Sequence, residues 1–314
     1  MSDSKNHRIG TSDVERMFRY APGSLPGGVR VALNHMNTDF RLPSLSEQSA
    51  YILNFLTLCE KEELLRNREE NLAAFEKGWA QNYERLLKSD GKNDFHCLTP
   101  GYFRGSPFFR YNNQLVVTDN LQLEFDLFTI ARHCLFDSYL ADRSEIFELG
   151  CGSCQNLLML SDLFPDKAIT GLDWTFATQK ISRFLAEKRK HAIKALQYDM
   201  FSEKPLPSIG SDGALISIHA FEQLGKKFSG ILDKIIDARP GIVVQLEPVA
   251  EFYDADNLLD FLALKYIRKR NYLDGYYTAL NRMAQKGDIE LLAAWRPYLG
   301  GVLHESSILV WRPA

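Results

Sequence analysis

The chain is 314 residues long, carries a formal net charge of −3, and is 25% charged and 45% hydrophobic. That length buries a full core and holds one large domain, or one domain with an appendage. The near-balanced charge speaks against nucleic acid, whose binders show a basic face, and no apolar run reaches the length of a membrane span.

Five cysteines, an odd number, point to a reducing compartment without a disulfide framework. The N-terminus, Met1-Ser-Asp-Ser-Lys-Asn-His-Arg8, lacks the apolar stretch of a secretory signal, so the cytoplasm is the expected location. Ala21-Pro-Gly-Ser-Leu-Pro-Gly-Gly28 is a turn-rich run and reads as loop. Residues 45–88 read as helix, with Ser46 as the cap and apolar positions Tyr51, Leu53, Phe55, Leu56 and Leu58 in the first part. The mixed charges of Glu60 to Glu70 suit a solvent face. Ser89 to Asp94 breaks the pattern, so a mainly helical extension is expected over 1–95 and a second domain over 96–314. Leu98 to Tyr111 is aromatic, basic and rich in Gly and Pro. It is expected either to fold over the mouth of a ligand site or to pack as a crossover on a sheet edge.

The next stretch, Glu145-Ile-Phe-Glu-Leu-Gly-Cys-Gly-Ser-Cys-Gln-Asn156, is followed by Ala168-Ile-Thr-Gly-Leu-Asp173. It reads as an apolar strand, a glycine turn, a helix, and a second strand ending in a carboxylate. Glycines at 150 and 152 let backbone approach a ligand where a Cβ would collide. A helix N-terminus then points its N–H groups at the same place, and an acid at the end of the second strand can accept both ribose hydroxyls. Lys194 to Asp199, Gly213 to His219 and Ile242 to Glu247 read as further strands, and Phe176 to Lys190 and Phe228 to Ala238 as helices between them. Alternation of this kind gives a doubly wound α/β fold with a parallel sheet covered on both faces. Asp288 to Tyr298 and Ser306 to Trp311 suit a closing antiparallel hairpin.

Dinucleotide enzymes use Gly-x-Gly-x-x-Gly, and here the third position is Gln155. An acid, Glu148, instead precedes the first glycine by two positions. Acid-x-Gly-x-Gly followed by the strand-end Asp173 resembles motifs I and II of class I S-adenosylmethionine (SAM) methyltransferases, and the resemblance covers roughly residues 120–314. It implies a Rossmann-like, seven-stranded, mostly parallel sheet and SAM as cofactor. It also implies that Glu148 meets the cationic methionine end beside Gly150 and Gly152, that Asp173 holds the ribose, and that Asp199 meets the adenine amino group with Met200 as an apolar wall. Cys151, Asn156, Trp174 and His219 complete the expected cofactor set. The chain departs from the family at Cys154, where the family has a third glycine.

The acceptor side is read from the strand ends. A hydroxyl nucleophile gains from a base that titrates near neutrality, and histidine is the usual one. His219 is the first candidate base and His304 the second, while Glu247, at the end of a very apolar strand, is a candidate substrate clamp. The expected reaction is O-methylation of a small-molecule acceptor, a sugar-type or natural-product-type intermediate, with no nucleic-acid or membrane partner and a homodimer left open. The inserted stretch Glu251 to Tyr277 is expected to shape the acceptor pocket. Cys151-Gly-Ser-Cys154 also fits a redox pair, whereas zinc would need two further ligands, so no metal is expected. Two rival functions stand beside methyl transfer: an NAD(P)-dependent oxidoreductase, and a non-catalytic protein with a degenerate SAM-binding fold.

Overall fold

The computed structural model describes residues 6–103 and 105–314; the first five residues of the N-terminal run and Arg104 of the aromatic segment lie outside the described residues. The N-terminal part holds β1 (His7–Arg8), α1 (Thr11–Phe18), α2 (Gly27–His35), β2 (Asp39–Phe40), α3 (Leu45–Glu60), α4 (Arg68–Leu87) and α5 (Asp94–Cys97). A hairpin of β3 (Phe108–Tyr111) and β4 (Gln114–Val117) leads into α6 (Leu123–Leu140). The alternating part follows as β5 (Glu145–Leu149), α7 (Gln155–Leu163), β6 (Ala168–Asp173), α8 (Phe176–Arg189), β7 (Ile193–Gln197), β8 (Gly213–Ile218), α9 (Ser229–Ala238) and β9 (Ile242–Glu247). The chain closes with α10 (Leu258–Arg270), α11 (Tyr276–Lys286), β10 (Ile289–Trp295), β11 (Leu299–Gly300) and β12 (Ser307–Pro313).

The apolar runs become the central strands. Every residue of β8 and β9 is buried, as expected for strands covered on both faces. The seven-stranded sheet has the order β10-β12-β9-β8-β5-β6-β7. The pairs from β7 to β9 are parallel, and β12 and β10 run antiparallel as the closing hairpin. This is the doubly wound, mostly parallel sheet expected from the sequence. The order reverses between β5 and β8, and ligands of open α/β sheets bind at such a reversal, outside the carboxyl ends of the strands.

One face of the sheet packs on α6, α7 and α8, and the same core cluster takes in Val14, Leu33, Trp79 and Leu86 of the N-terminal helices. The other face packs on α9 and α11. A third, smaller cluster joins Tyr51 and Phe55 of α3 to Leu262, Tyr266 and Ile267 of α10. A separate three-stranded sheet, β11-β3-β4, ties the aromatic segment to the end of the chain.

Residues 45–88 differ from the single helical stretch expected of them. They form two helices separated by a 3₁₀ turn at Glu62–Leu64. The first is capped by Ser44, two residues earlier than the expected Ser46: the Ser44 hydroxyl accepts from Glu47 N, and the Glu47 carboxylate accepts from Ser44 N at 2.7 Å. The second begins at Asn67, whose side chain accepts from Glu70 N at 3.0 Å while Glu70 returns the bond. Each is a capping box, which satisfies two helix-start N–H groups at once. The second box hides inside the charge run of Glu60 to Glu70, where periodicity has little to detect.

Candidate active site

The turn after β5 is built on left-handed backbone, with φ of +71° at Gly150 and +49° at Gly152. Protein neighbours alone already demand both glycines. A Cβ on Gly150 would stand 2.4 Å from the Cβ of Ala220, and one on Gly152 would stand 2.9 Å from the Trp79 indole. Cys154, in place of the family's third glycine, has φ +62° and caps α7. An L-residue there costs about 1 kcal/mol. Its thiol and that of Cys151 are free and buried. Burial pushes the Cys151 thiol well up, the reverse of what a redox thiolate needs. Among the described residues no group of His, Cys, Asp and Glu is arranged to hold a metal ion.

Glu148 is buried beneath this turn. Its Oε1 accepts from Asn156 Nδ2 at 2.6 Å, and Asn156 Oδ1 accepts in turn from Arg132 Nη1 at 2.7 Å. Arg132 also donates to Gln155 Oε1 and to the Thr129 hydroxyl. Both ends of this chain keep a buried atom with no partner, Oε2 of Glu148 and Nε of Arg132. Burial raises the Glu148 carboxyl to about 7, against the pull of Asn156 and Arg132.

A cavity of about 700 Å³ opens from Gly150–Ser153 past Asn156 and Arg132 to His219, and onward to Tyr266, Arg270, Tyr272 and His304. Pro100, Tyr102, Phe103, Gly105, Ser106 and Phe109 of the aromatic segment form part of its wall. His219 Nε2 and the Ser306 hydroxyl are 2.6 Å apart. His219 Nδ1 lies 3.6 Å from Glu222 Oε2, beyond hydrogen-bond range, and that oxygen has no partner. Burial, then His304 and Arg132, hold His219 down at about 3; burial and Arg110 hold His304 at about 4. Burial and the nearby Glu247 raise Glu222 to about 8. At neutral pH the cavity therefore presents two neutral imidazoles and a largely protonated carboxyl.

Other expected site residues stand outside the cavity lining. Glu247 accepts from the Ser217 hydroxyl at 2.8 Å and from the backbone N–H groups of Ala220, Phe221 and Glu222 at 3.0, 3.1 and 3.2 Å. It fixes the turn that presents His219 and Glu222, with φ +53° at His219. Asp173 has both oxygens committed: Oδ2 accepts from Gly152 N at 2.9 Å, and Oδ1 from Thr175 N and Oγ1 at 2.9 and 2.7 Å. Asp199 forms an ion pair with Arg68 of α4 and accepts from Phe201 N. The Arg68 guanidinium lies 5.9 Å from the Trp174 ring and 5.3 Å from the Phe201 ring. Met200 packs on the Phe147, Leu172 and Tyr198 side of the core.

The structure thus gathers Gly150, Cys151, Gly152, Asn156, His219 and His304 on one cavity, with Glu148 behind it, and sets Asp173, Trp174, Asp199, Met200 and Glu247 apart. Sequence reasoning missed Arg132 and Ser306, whereas Tyr102 and Arg270 on the cavity wall lie in the two segments, Leu98 to Tyr111 and Glu251 to Tyr277, expected at the mouth of the site and at the acceptor pocket. Arg132 did leave a signal, a lone arginine in the apolar middle of α6. Ser306 is brought to His219 only by the register of β12 on β9.

No protein-family model matches the chain, and no curated protein matches it. Solved structures with a similar fold include an O-methyltransferase (NcsB1) from neocarzinostatin biosynthesis. It is 18% identical, with 61% of this chain and 58% of that chain covered and a TM-score of 0.42. A geranyl diphosphate C-methyltransferase from Streptomyces coelicolor A3(2) is 10% identical, with 62% and 87% covered and a TM-score of 0.46. The (4+2)-cyclase SpnF is 14% identical, with 58% and 80% covered and a TM-score of 0.43. The first alignment spans less than two thirds of that protein's own length, and no activity is carried over from any of the three.

Proposed function

We propose that the chain is a SAM-dependent methyltransferase acting on a hydroxyl of a small, planar, largely apolar acceptor of natural-product type. One observation carries the reading: a single cavity at the sheet's reversal point joins the glycine turn to a neutral histidine. The unpaired Glu148 Oε2 and Arg132 Nε beside that turn suit the ammonium and carboxylate of a methionine moiety, since buried polar groups without partners are rare and costly. SAM supplies an activated methyl group on its sulfonium.

The chain's own part is orientation and proton removal. Holding two reactants in line can contribute several kcal/mol. His219 is uncharged, and its Nε2, which meets the Ser306 hydroxyl, is the atom to take the acceptor's proton, although burial holds it at about 3, below the near-neutral range expected of it from the sequence. Glu222, close to Nδ1, can steady the imidazolium once ionised. The acceptor's shape is suggested by one wall of rings: Phe128 to His219 at 5.1 Å, His219 to His304 at 5.8 Å, and His304 to Tyr266 and Tyr272 at 5.8 and 6.0 Å. Flat aromatic faces pair with flat rings and leave the hydroxyls of a sugar unmet, which favours a natural-product body over a sugar. Arg270, whose buried Nε has no partner, stands at the far end of this wall and suits an acidic group.

One observation favours a second reading, a protein that keeps the fold without binding the cofactor. The residues expected to hold the nucleoside are committed to other parts of the chain. Calorimetric titration with S-adenosylhomocysteine, with NAD(P)H as control, separates the readings. Micromolar binding of S-adenosylhomocysteine alone supports the methyltransferase. Silence with both ligands supports the second reading, and preference for the nicotinamide supports an oxidoreductase.

A further inference from the structure

Three contacts of α4 reach the turns after β5, β6 and β7. The Trp79 indole lies on Gly152. The Glu76 carboxylate accepts from Phe176 N and Ala177 N at 2.8 and 3.0 Å, at the start of α8. Arg68 stands on Asp199 within reach of the Trp174 and Phe201 rings. The turns after β6 and β7 are where the nucleoside half of the cofactor belongs, and the cavity, which reaches the turn after β5, stops short of both.

We propose that Arg68 occupies the adenine subsite as an intramolecular stand-in for the base, and that α4 must release it before the cofactor can seat. The inference rests on the SAM reading above and concerns how the same site is controlled. A guanidinium is planar, stacks on aromatic faces and offers N–H donors to a carboxylate. Adenine shares those three properties. The expected partner of the adenine amino group, Asp199, is the residue Arg68 holds.

The two ends of α4 are fastened unequally. Near its C-terminal end, the buried Asn82 donates to the Cys97 and Thr99 carbonyls at 2.8 and 2.9 Å. At its N-terminal end, the Arg68 side chain is 55% exposed and Asp199 25% exposed, so solvent and salt weaken the pair. The helix is therefore pinned at one end and lightly latched at the other, over the site itself.

Stopped-flow tryptophan fluorescence with S-adenosylhomocysteine tests the proposal on the full chain, comparing wild type with Arg68→Ala. Trp79 and Trp174 flank the latch and report on its opening. In wild type the observed rate should level off with ligand concentration, because opening limits it. In Arg68→Ala the rate should keep rising, and the Kd should fall about fivefold, the scale of one exposed ion pair. Adenosine, which lacks the methionine end, should gain by the same factor. Equal or weaker binding by the variant, with unchanged kinetics and an unchanged Tm, would overturn the latch and leave the cofactor reading standing. Binding by neither protein would overturn both.

Discussion

The two halves of the crevice at the strand ends are finished to different degrees. Over β6 and β7, Asp173 and Asp199 have their oxygens in hydrogen bonds or an ion pair, and a helix lies across them. Over β5, β8 and β9, four side chains on or beneath the cavity each keep a buried atom without a partner: Arg132, Glu148, Glu222 and Arg270. Folded proteins satisfy nearly all their buried polar groups. In the first half the strand-end carboxylates are already occupied, although Asn71 Oδ1 of α4 and Gln179 Nε2 of α8 lack partners there; in the second half the unpartnered atoms belong to side chains on or beneath the cavity, where a ligand can meet them.

Substitutions sharpen or break that contrast. The largest effect is expected from Asp173→Ala, which leaves the Gly152 and Thr175 donors in a buried site unmet. Loss of about 3 kcal/mol in denaturant unfolding is expected, together with loss of S-adenosylhomocysteine binding; unchanged binding would place the ribose elsewhere. His219→Ala should lower turnover of an identified acceptor about 100-fold, with calorimetric affinity for S-adenosylhomocysteine within threefold of wild type. Gly152→Ala should cost about 2 kcal/mol, since its methyl group meets the Trp79 ring in left-handed backbone; a Tm equal to wild type would mean that the indole moves freely.

The remaining effect is a pH dependence. The Glu222 carboxyl is raised from 4.5 to about 8 by burial and Glu247. The folded state therefore holds a proton that the unfolded chain releases above 4.5, and its contribution is lost as pH climbs through 8. Glu222→Gln should match wild type at pH 4, gain on it steadily from pH 5 to pH 8, and hold a constant advantage above that. Parallel Tm-against-pH curves for the two proteins would show that Glu222 is not held neutral.

The sheet was legible because β8 and β9 are near-continuous apolar runs, interrupted only by Ser217, Gln245 and the terminal Glu247, and because glycines and acids punctuate β5 and β6 at fixed spacing. The boundaries of α8 and α9 followed from the same alternation, within two residues. What stayed hidden depends on distant residues meeting. That Asp173 spends its oxygens on Gly152 and Thr175 follows from turn geometry, which spacing alone does not give. Arg68 lies 131 positions before Asp199, and its charge in a run of mixed charges gave no hint of an address. The Ser306 hydroxyl reached His219 through strand register, and Arg132 reached the glycine turn through the packing of α6.

The sharing of one core by the N-terminal helices and the sheet bears on how the chain can be shortened. Val14, Leu33, Trp79 and Leu86 lie in the same apolar cluster as Leu127, Leu157 and Ile181. Expressing residues 96–314 alone would bare that face of α6 and α8 to water, and an apolar patch of that kind promotes aggregation. The stretch that looks like an appendage in the sequence is structural cladding, and trimming it would forfeit solubility before any question of activity could be asked.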